Sequence, residues 1–366
     1  MDIAIIGAGP IGSYAGYLLA KSGHTVSIYE NHPQVGLPVQ CTGILTSDFD
    51  EFNLPVEEFL VNTINKIEVF TPQESISIKQ KDYIVCRTRF DNYVANLAKG
   101  EGAKILVNHS FQRKEGYFII ITDSKSGREL KLKPDIVIGA DGPLSPVAKA
   151  YGFYHPEREN FFGVQATVEG KFDPHTIKTF FGSQVCPGFF AWVTPESSTL
   201  ARVGLAMKNN SREYFNKFLQ QNNFTVKEMQ AGTIPVYNPK QKLSQDNCYL
   251  VGDASGYVKA TTLGGIVPAM KQVQILVDCI NGGKDYTQEI APVRKKMWIH
   301  LQIQKIISQF SDKDWDKLIS YVRQPEIQEL FEKYTRDNPI PLVANTLLRE
   351  PRFLYFLKYL VGSKVF

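Results

Sequence analysis

The feature that most constrains this chain is a glycine-rich turn near its start, Gly7-Ala-Gly-Pro-Ile-Gly12. An apolar run, Asp2 to Ile6, precedes the turn and predicts a strand, and Ser13 to Ser22 predicts a helix. A second predicted strand, Thr25 to Tyr29, ends at Glu30. In this setting the glycines allow a tight turn and a close approach of pyrophosphate to the helix, and the acid accepts hydrogen bonds from ribose. The stretch predicts a βαβ unit that binds a dinucleotide, and Glu30 argues against a 2′-phosphate at this site.

A second informative stretch lies two thirds of the way along the chain. Tyr249 to Val251 predict a short buried strand, and Asp253 follows at the edge where open α/β sheets bind ligands. Gly264-Gly265 then open a predicted helix, Ile266 to Ile280, with bare N–H groups at the positive end of the helix dipole. This arrangement suits a ligand that carries negative charge in a ring, such as reduced flavin. The alternative is a strand, turn and helix whose glycines serve packing alone.

Composition and charge exclude several classes of protein. The chain has 366 residues, enough for two or three domains, and a formal charge of +4, which does not suggest nucleic acid. The five cysteines form no CxxC pair and the six histidines show no ligand spacing, so no metal site is predicted. We expect neither a signal peptide nor a spanning helix, and therefore a cytoplasmic protein that is soluble or attached to a membrane from outside.

The middle of the chain predicts loops and a second sheet. Pro38 to Gly43 lies in a Gly/Pro-rich loop that contains Cys41. Arg87 leads into a predicted helix, and Asp141-Gly142 follows a predicted strand. Alternating patterns between residues 65 and 78 and between 160 and 206 predict antiparallel strands rich in aromatic residues. Those aromatics fit either the wall of an apolar pocket or an ordinary sheet core.

Taken in order, these motifs resemble those of a known family. GxGxxG, RxxFD at Arg87 to Asp91, Asp141-Gly142 and Gly252-Asp253 form the set found in p-hydroxybenzoate-hydroxylase-like flavoproteins. Within that group the chain is most similar to the geranylgeranyl reductase family, which includes archaeal digeranylgeranylglycerophospholipid reductases. The resemblance covers about residues 1 to 285, and five further segments carry it: Pro38 to Gly43, Gly188 to Pro195, Gly232 to Pro235, Asp246 to Gly256, and Leu263 to Ile266.

The resemblance implies a mixed α/β fold in three parts. A Rossmann-like FAD-binding domain, assembled from separate segments, would carry an inserted antiparallel-sheet substrate domain and a C-terminal helical region. The expected bounds are 1–64, 81–158 and 245–290 for the FAD-binding domain, 65–80 and 159–244 for the substrate domain, and 291–366 for the helical region.

The same resemblance implies an extended, noncovalent FAD. The dinucleotide turn would hold the pyrophosphate, Glu30 the ribose, Arg87 the phosphate and ribityl region, and backbone near Phe111 the adenine. Asp253 would bind the ribityl or pyrophosphate end. The expected cofactor-binding residues are Gly7, Gly9, Pro10, Ile11, Gly12, Glu30, Cys41, Thr42, Gly43, Arg87, Phe111, Asp141, Gly142, Asp253, Gly264, Gly265 and Ile266.

The implied function is an FAD-dependent reductase that saturates C=C bonds of geranylgeranyl-type isoprenoid lipids. Phe190, Trp192 and Pro195 would line the lipid cavity, at a place where the family has a YxWxFPK-like motif. The Tyr, the Phe and the Lys of that motif are replaced in this chain, the Lys by Glu196. Cys41 is the catalytic candidate, as the proton donor for the alkene. Its thiol could instead pack or tune the flavin ring.

The sequence leaves open two alternative functions and the identity of the external electron donor. The same scaffold serves FAD-dependent monooxygenases of apolar substrates, and it could also be a non-catalytic flavin- or lipid-binding electron carrier. No second GxGxxG occurs, so the external electron donor would be a ferredoxin or a transiently docked NAD(P)H.

The C-terminal segment Pro341 to Phe366 is rich in Leu, Phe and Tyr. It has four basic residues against one acidic residue, so its net charge is 4 − 1 = +3. The segment predicts either a basic amphipathic tail on an anionic membrane or a helix packed on the protein.

Overall fold

A computed structural model describes residues 1–154 and 157–361. The end of the predicted basic tail, with Lys364, lies outside these residues. The described chain is a mixed α/β structure of two large sheets, a small sheet and a C-terminal run of helices.

The first sheet has six strands in the order β16-β17-β10-β1-β2-β6. Its neighbours are parallel except for the β16–β17 pair. The strands are β1 Asp2–Ile6, β2 Thr25–Glu30, β6 Lys104–Val107, β10 Ile136–Gly139, β16 Ser244–Gln245 and β17 Cys248–Leu250. Their apolar residues are buried on both faces, as expected for a parallel sheet covered on each side.

Helices cover one face of this sheet and a three-stranded sheet covers the other. The helices are α1 Pro10–Lys21, α2 Arg87–Gly100 and α5 Ile266–Gly282. The small antiparallel sheet contains β7 His109–Glu115, β8 Phe118–Asp123 and β9 Glu129–Leu132, and a short helix, α3 Pro146–Ala150, packs beside it. Because β1, β2, β10 and β17 are parallel, the segments that follow them meet at one edge.

The second large sheet has eight strands in the order β15-β11-β14-β13-β12-β4-β5-β3. All neighbours are antiparallel except β12 and β4. The strands are β3 Ile44–Thr46, β4 Leu60–Phe70, β5 Ser75–Val85, β11 Asn160–Glu169, β12 Thr176–Phe181, β13 Phe190–Pro195, β14 Leu200–Met207 and β15 Thr225–Pro235. The predicted strand segment at 65–80 therefore joins this sheet, through β4 and β5.

Helices lie on both faces of the eight-stranded sheet. α4 Ser211–Gln221 buries Phe215 and Phe218 against one face. α8 Asp312–Val322 and α9 Pro325–Lys333 pack against the other. The remaining helices after residue 285 pack on neighbouring helices: α6 Tyr286–Glu289 and α7 Ala291–Ile307 on α5, and α10 Pro339–Arg349 and α11 Lys358–Val361 on α7. The sequence Ser311-Asp-Lys-Asp314 is a variant of the capping-box pattern, and Ser311 and Asp314 form such a box at the start of α8. Within the described residues, we find no helix with the length and hydropathy needed to span a bilayer.

Candidate functional site

A cavity of about 970 Å³ runs from the carboxyl edge of the six-stranded sheet to the face of the eight-stranded sheet beneath α8 and α9. This volume is at the upper end of the usual range for small-molecule sites. One end contains the dinucleotide turn, the other is largely apolar, and the loop with Cys41 lies between them. The cavity thus brings together residues from all three parts of the chain.

The glycines of the dinucleotide turn have two different tasks. A Cβ on Gly7 would lie 2.4 Å from the carbonyl oxygen of Ala140, and a Cβ on Gly12 would lie 2.0 Å from that of Gly7. These two glycines are needed for strand, turn and helix to pack. A Cβ on Gly9 would meet nothing within 4 Å, because it faces the cavity at the N-terminus of α1. Gly9 therefore leaves room for a ligand, as a pyrophosphate at a helix N-terminus requires.

Glu30 lies at the end of β2 on the cavity wall and its carboxylate is held on both oxygens. Oε2 accepts a hydrogen bond from the amide of Ala8 (2.8 Å), which fixes the turn. Oε1 accepts from the amide of His32 (2.9 Å) and lies 2.6 Å from His32 Nδ1. The carboxylate is thereby oriented at the sheet edge where the sequence predicts a ribose.

Arg87 begins α2 and forms a bidentate ion pair with Asp91, one turn later, with both N···O distances at 3.0 Å. Burial disfavours the charged guanidinium, but attraction from Asp91 and Cys41 outweighs this effect and raises the pKa of Arg87. The RxxFD motif therefore keeps a cation beside Cys41 at the cavity wall. Such a cation suits a phosphate or a thiolate.

The loop Cys41-Thr42-Gly43 is tied to the eight-stranded sheet at several atoms. Arg202, on β14, donates from Nη1 to the carbonyls of Thr42 (2.5 Å) and Val85 (2.9 Å). Its Nε donates to Glu196 Oε1 at 2.5 Å. Glu196, which departs from the family motif, thus orients the arginine that holds the Cys41 loop.

Gly43 and two glutamines complete the support of this loop. Gly43 has φ +72°, and a Cβ there would lie 2.6 Å from the carbonyl oxygen of Val85. The Thr42 hydroxyl donates to Gln165 Oε1 (2.6 Å), and Gln165 Nε2 donates to Gln230 Oε1 (2.5 Å). A strip of amides therefore crosses the cavity wall next to Cys41. Arg202, Gln165 and Gln230 are not predicted as site residues, because local pattern does not distinguish them from ordinary strand residues.

Asp253 follows β17 and its carboxylate faces the cavity. Among the described residues it accepts no side-chain hydrogen bond, and burial raises its pKa against the opposing charges of Arg87 and Arg158. Arg158 donates to the carbonyls of Asp253 and Ala254, and so supports this segment. A buried carboxylate with free acceptor sites fits a polyhydroxylated ligand such as a ribityl chain.

Asp141 occupies the neighbouring position after β10. It accepts from the Ser145 hydroxyl (2.6 Å) and the Val147 amide (2.9 Å), so it caps α3. Burial raises its pKa to about 6. Asp141 and Gly142 both line the cavity, next to Gly7.

The predicted glycine pair lies at the start of α5. Gly264, Gly265 and Ile266 line the cavity, and Gly265 is the residue before the first helical position. Beneath them, Lys259 Nζ lies 2.7 Å from Asp337 Oδ1 in an ion pair that is almost fully buried. Neither Lys259 nor Asp337 is predicted as a site residue from the sequence.

The apolar end of the cavity lies between the eight-stranded sheet and the C-terminal helices. Phe190 and Trp192, on β13, line this end. Pro195 ends the same strand, but in the described part of the chain it lies off the cavity wall, where its carbonyl accepts from Asn62 Nδ2 at 2.9 Å. Six further apolar wall residues come from β5, α8 and α9: Ile76, Ile78, Trp315, Ile319, Val322 and Phe331.

Every predicted cofactor-binding residue except Gly12 lines this one cavity. Gly12 packs behind the turn, against Gly7. The residues of the described ranges contain no group of three or more His, Cys, Asp or Glu side chains arranged to hold a metal ion.

Known proteins resemble the chain at three levels. A family profile described as an NAD(P)-binding Rossmann-like domain matches residues 5–54. A digeranylgeranylglycerophospholipid reductase from Methanocaldococcus jannaschii is 29% identical, over 87% of this chain and 89% of its own length. Digeranylgeranylglycerophospholipid reductase 3 from Methanosphaera stadtmanae is 27% identical, over 98% of both chains.

Solved structures resemble the fold over nearly its whole length. A geranylgeranyl bacteriochlorophyll reductase-like protein from Thermoplasma acidophilum aligns with a TM-score of 0.84 at 21% identity, over 98% of both chains. A flavin-dependent brominase aligns with a TM-score of 0.74 at 16% identity, over 98% of this chain and 99% of its own.

The fold class predicted from the sequence is therefore confirmed: it is the fold of flavin-dependent oxidoreductases, with a Rossmann-like domain, a second sheet and C-terminal helices. Within that class, the similarity is to the digeranylgeranylglycerophospholipid reductases and their structural relatives. The recognition of a geranylgeranyl reductase-like chain is confirmed by both comparisons.

Proposed function

We propose that this protein is an FAD-dependent reductase that saturates C=C bonds of geranylgeranyl-type isoprenoid lipids. The observation that carries the proposal is the continuous cavity, which joins a dinucleotide turn to a long apolar wall. An isoprenoid chain offers little besides apolar surface, so a wall of Ile, Phe and Trp side chains suits it. The names of the relatives support the same substrate class.

FAD fits the donor set at one end of the cavity. Gly9 leaves space for the pyrophosphate, Glu30 presents its carboxylate where the ribose is expected, and Asp253 has free acceptor sites for ribityl hydroxyls. Arg87 supplies a buried cation for the phosphate region. Gly264, Gly265 and Ile266 line the cavity at the positive end of α5, where the helix dipole would stabilise negative charge on the ring.

The bound flavin supplies the hydride for the alkene, and the protein must orient the lipid and deliver a proton to the other carbon. Cys41 is our candidate donor, because its Sγ lies at the cavity wall between the dinucleotide turn and the apolar end. Arg87 places a guanidinium beside this thiol on the same wall. Arg202 and Gln165 hold the loop so that the thiol keeps one position.

The test compares wild type with Cys41→Ala and Cys41→Ser under anaerobic conditions, with dithionite as reductant and a geranylgeranyl-type lipid. Loss of a positioned proton donor costs typically about 10²–10⁴-fold in rate, so we expect Cys41→Ala to reduce lipid at least tenfold more slowly with unchanged FAD content. Cys41→Ser should fall between the two. Cys186→Ala is a matched control, because that thiol is buried in the sheet core away from the cavity.

Mass spectrometry of the lipid separates the possible outcomes. Addition of two hydrogens per double bond supports the reductase. Wild-type turnover by Cys41→Ala would assign the proton to water or another group. An oxygen-dependent product one oxygen heavier would favour the monooxygenase, and reducible flavin with no lipid product would favour the electron carrier.

We also propose that the C-terminal region contacts an anionic membrane, where such a lipid resides. Leu348 is 79% exposed at the end of α10, next to the exposed Arg349, and Leu354, Tyr355 and Leu357 are exposed nearby. Apolar side chains flanked by basic ones suit the surface of an anionic bilayer. The electron donor, a ferredoxin or NAD(P)H, would reach the flavin from outside the cavity.

A further inference from the structure

Lys259 is an unusual residue to find in the wall of this cavity. Its side chain is only 4% exposed, and that of its partner Asp337 only 5%. A charged pair this deeply buried is costly to desolvate and is weak evidence for stability alone. A well-packed apolar pair would close the same wall at lower cost, so the pair calls for another explanation.

The position of Lys259 relates it to the ring end of the expected flavin. An ideal Cβ on Gly264 would lie 3.1 Å from Lys259 Cε and 3.5 Å from Nζ, so the side chain runs beneath the glycine pair. On the opposite side, the Thr46 hydroxyl donates to Asp337 Oδ2 at 2.6 Å. Thr46 ends β3, the strand that follows the Cys41 loop directly. The ion pair thus lies between the two backbone segments expected to border the ring.

The hydrogen bonds of Lys259 are incomplete. Its ammonium has three N–H groups, and within the described residues only the bond to Asp337 Oδ1, at 2.7 Å, is formed by its side chain. A buried donor without a partner costs free energy, so a ligand in the cavity that offers an acceptor would be favoured. Asp337 is better satisfied, because it accepts from both Lys259 and Thr46.

Burial and ion pairing act against each other on both partners. Burial alone would raise the pKa of Asp337, but the charge of Lys259, the hydrogen bonds from Lys259 and Thr46 and the charge of Arg336 together lower it. Burial lowers the pKa of Lys259, and Asp337 opposes that effect. The second ion pair of this region, Arg336 with Asp82 (2.7 Å), adds no net charge. The electric field that a ligand in the cavity experiences therefore depends on which partner of the Lys259–Asp337 pair lies nearer to it.

We infer that Lys259, held by Asp337, is the charged residue that stabilises the negative charge of the reduced flavin; the inference rests on the FAD assignment of the proposed function. Transfer of two electrons and one proton to a flavin leaves one negative charge on its ring. A neighbouring ammonium favours that form over the neutral oxidised ring, while the carboxylate behind it weakens the effect. Lys259 therefore raises the midpoint potential and Asp337 lowers it.

The test is the two-electron midpoint potential of protein-bound FAD, measured by spectroelectrochemistry without lipid at slightly acidic pH. Lys259→Met should lower the preference for reduced over oxidised FAD at least tenfold, a shift of about 30 mV to more negative potential. Asp337→Asn should shift the potential in the positive direction, because the ammonium loses its counter-charge. The double variant should lie between Lys259→Met and wild type.

Shifts of the midpoint potential in opposite directions in Lys259→Met and Asp337→Asn distinguish this role from a structural one. A pair that only links the α5 loop to the segment before α10 would loosen FAD similarly when either partner is removed, so shifts of the same sign would overturn the inference. A change of less than threefold in Lys259→Met would also overturn it. Loss of FAD from both Lys259→Met and the double variant would show that Lys259 binds the oxidised ring equally, which contradicts a selective effect.

Two controls complete the design. Lys208→Met removes an exposed lysine paired with Glu159 at the sheet surface, and it should leave the potential unchanged. Wild type is assayed separately for lipid reduction. If wild-type protein holds FAD and the shifts occur without lipid turnover, the proposed substrate fails while the role of Lys259 remains. If wild type binds no FAD, the proposed cofactor fails first.

Discussion

Two glycines of the same turn should respond to substitution in opposite ways. Gly9 has φ −62° and ψ 177°, which any residue adopts, and a Cβ there meets nothing within 4 Å. Gly12 lies inside α1, and a Cβ there would be 2.0 Å from the carbonyl oxygen of Gly7. We therefore predict that Gly9→Val loses the cofactor but folds, and that Gly12→Ala loses stability.

The magnitudes follow from these contacts. Valine is a poorer N-cap than glycine, so Gly9→Val should cost the apoprotein at most about 1 kcal/mol. Hydrogen bonds from amides to a charged group contribute about 1.5–3 kcal/mol each, and 1.4 kcal/mol is tenfold, so losing even one phosphate contact weakens binding roughly 10–150-fold. Gly12→Ala must move backbone away from backbone, and overpacking of this kind costs about 1–3 kcal/mol or more.

The assay measures the two quantities separately. Flavin absorbance after gel filtration gives FAD content, and FAD titration of the apoprotein gives Kd. Stability is compared between apoproteins by urea unfolding, because bound FAD would itself stabilise the folded state by about 2.7 kcal/mol at a hundredfold excess over Kd. Gly9→Ala, whose side chain has two carbons fewer than that of valine, should show an intermediate Kd.

A Gly9→Val protein with wild-type FAD content would refute this account of the turn, since the added side chain would then lie in the ligand's path without effect. A Gly12→Ala apoprotein as stable as wild type would show that strand and helix have more room than the 2.0 Å contact allows.

Three further predictions concern the loop, a histidine and the membrane. Glu196→Lys puts a second cation beside Arg202, so the Cys41 loop should loosen. The rate of Cys41 alkylation should then change at least threefold while the FAD content is retained, and Glu196→Gln should change that rate less. Burial lowers the pKa of His300 to about 3, so below pH 6.5 the unfolded state binds more protons than the folded state. The free energy of unfolding should therefore fall by about 2 kcal/mol between pH 7 and 5. His300→Gln should flatten this part of the profile of urea midpoint against pH. The protein should float with anionic vesicles at low salt and be released by high salt, and Leu348→Ser should weaken flotation without changing FAD content.

The parts of the fold that sequence predicted best are those that local physics determines. The turn from Gly7 to Gly12 has an apolar strand before it and a helix after it, and Glu30 follows at the expected interval. Each of these signals lies within one short stretch, so pattern and spacing were enough. The same holds for the glycine pair before α5 and for the capping box of α8.

Contacts between distant segments could not be predicted in this way. Lys259 and Asp337 are 78 residues apart, and Arg202 and Thr42 are 160 apart. Nothing in either local sequence indicates that these charges are buried, because a lone lysine or arginine is usually exposed. The replacement at Glu196 was a visible signal, but its reason, the bond to Arg202, depends on the pairing of two strands.

The helix α7 shows a related difficulty. Its isoleucines, Ile299 to Ile307, predict an apolar face, yet the fully buried positions are Val293, Met297, His300 and Gln304. His300 Nδ1 lies 2.7 Å from the Thr261 hydroxyl, and Gln304 Nε2 donates to the Gly188 carbonyl at 3.0 Å. Polar residues are buried there because loops from other parts of the chain supply partners, which hydrophobic periodicity does not register.

The contacts that hold α8 on the eight-stranded sheet reflect the fact that this helix also covers the cavity. Part of the apolar face of α8 forms the cavity wall, so that surface cannot serve wholly to bind the helix to the sheet. Ile319 and Val322 pack against Ile76 and Ile78 of the sheet, and polar attachments lie at the rim: Asp312 accepts from the Ser183 hydroxyl, and Asp316 accepts from the Thr71 hydroxyl at 2.6 Å. Polar attachments contribute less net stability than apolar burial but fix position more strictly. A cavity for a long apolar substrate can then stay open beneath α8, while Asp337, farther along the same helical region, reaches the lysine next to the predicted flavin ring.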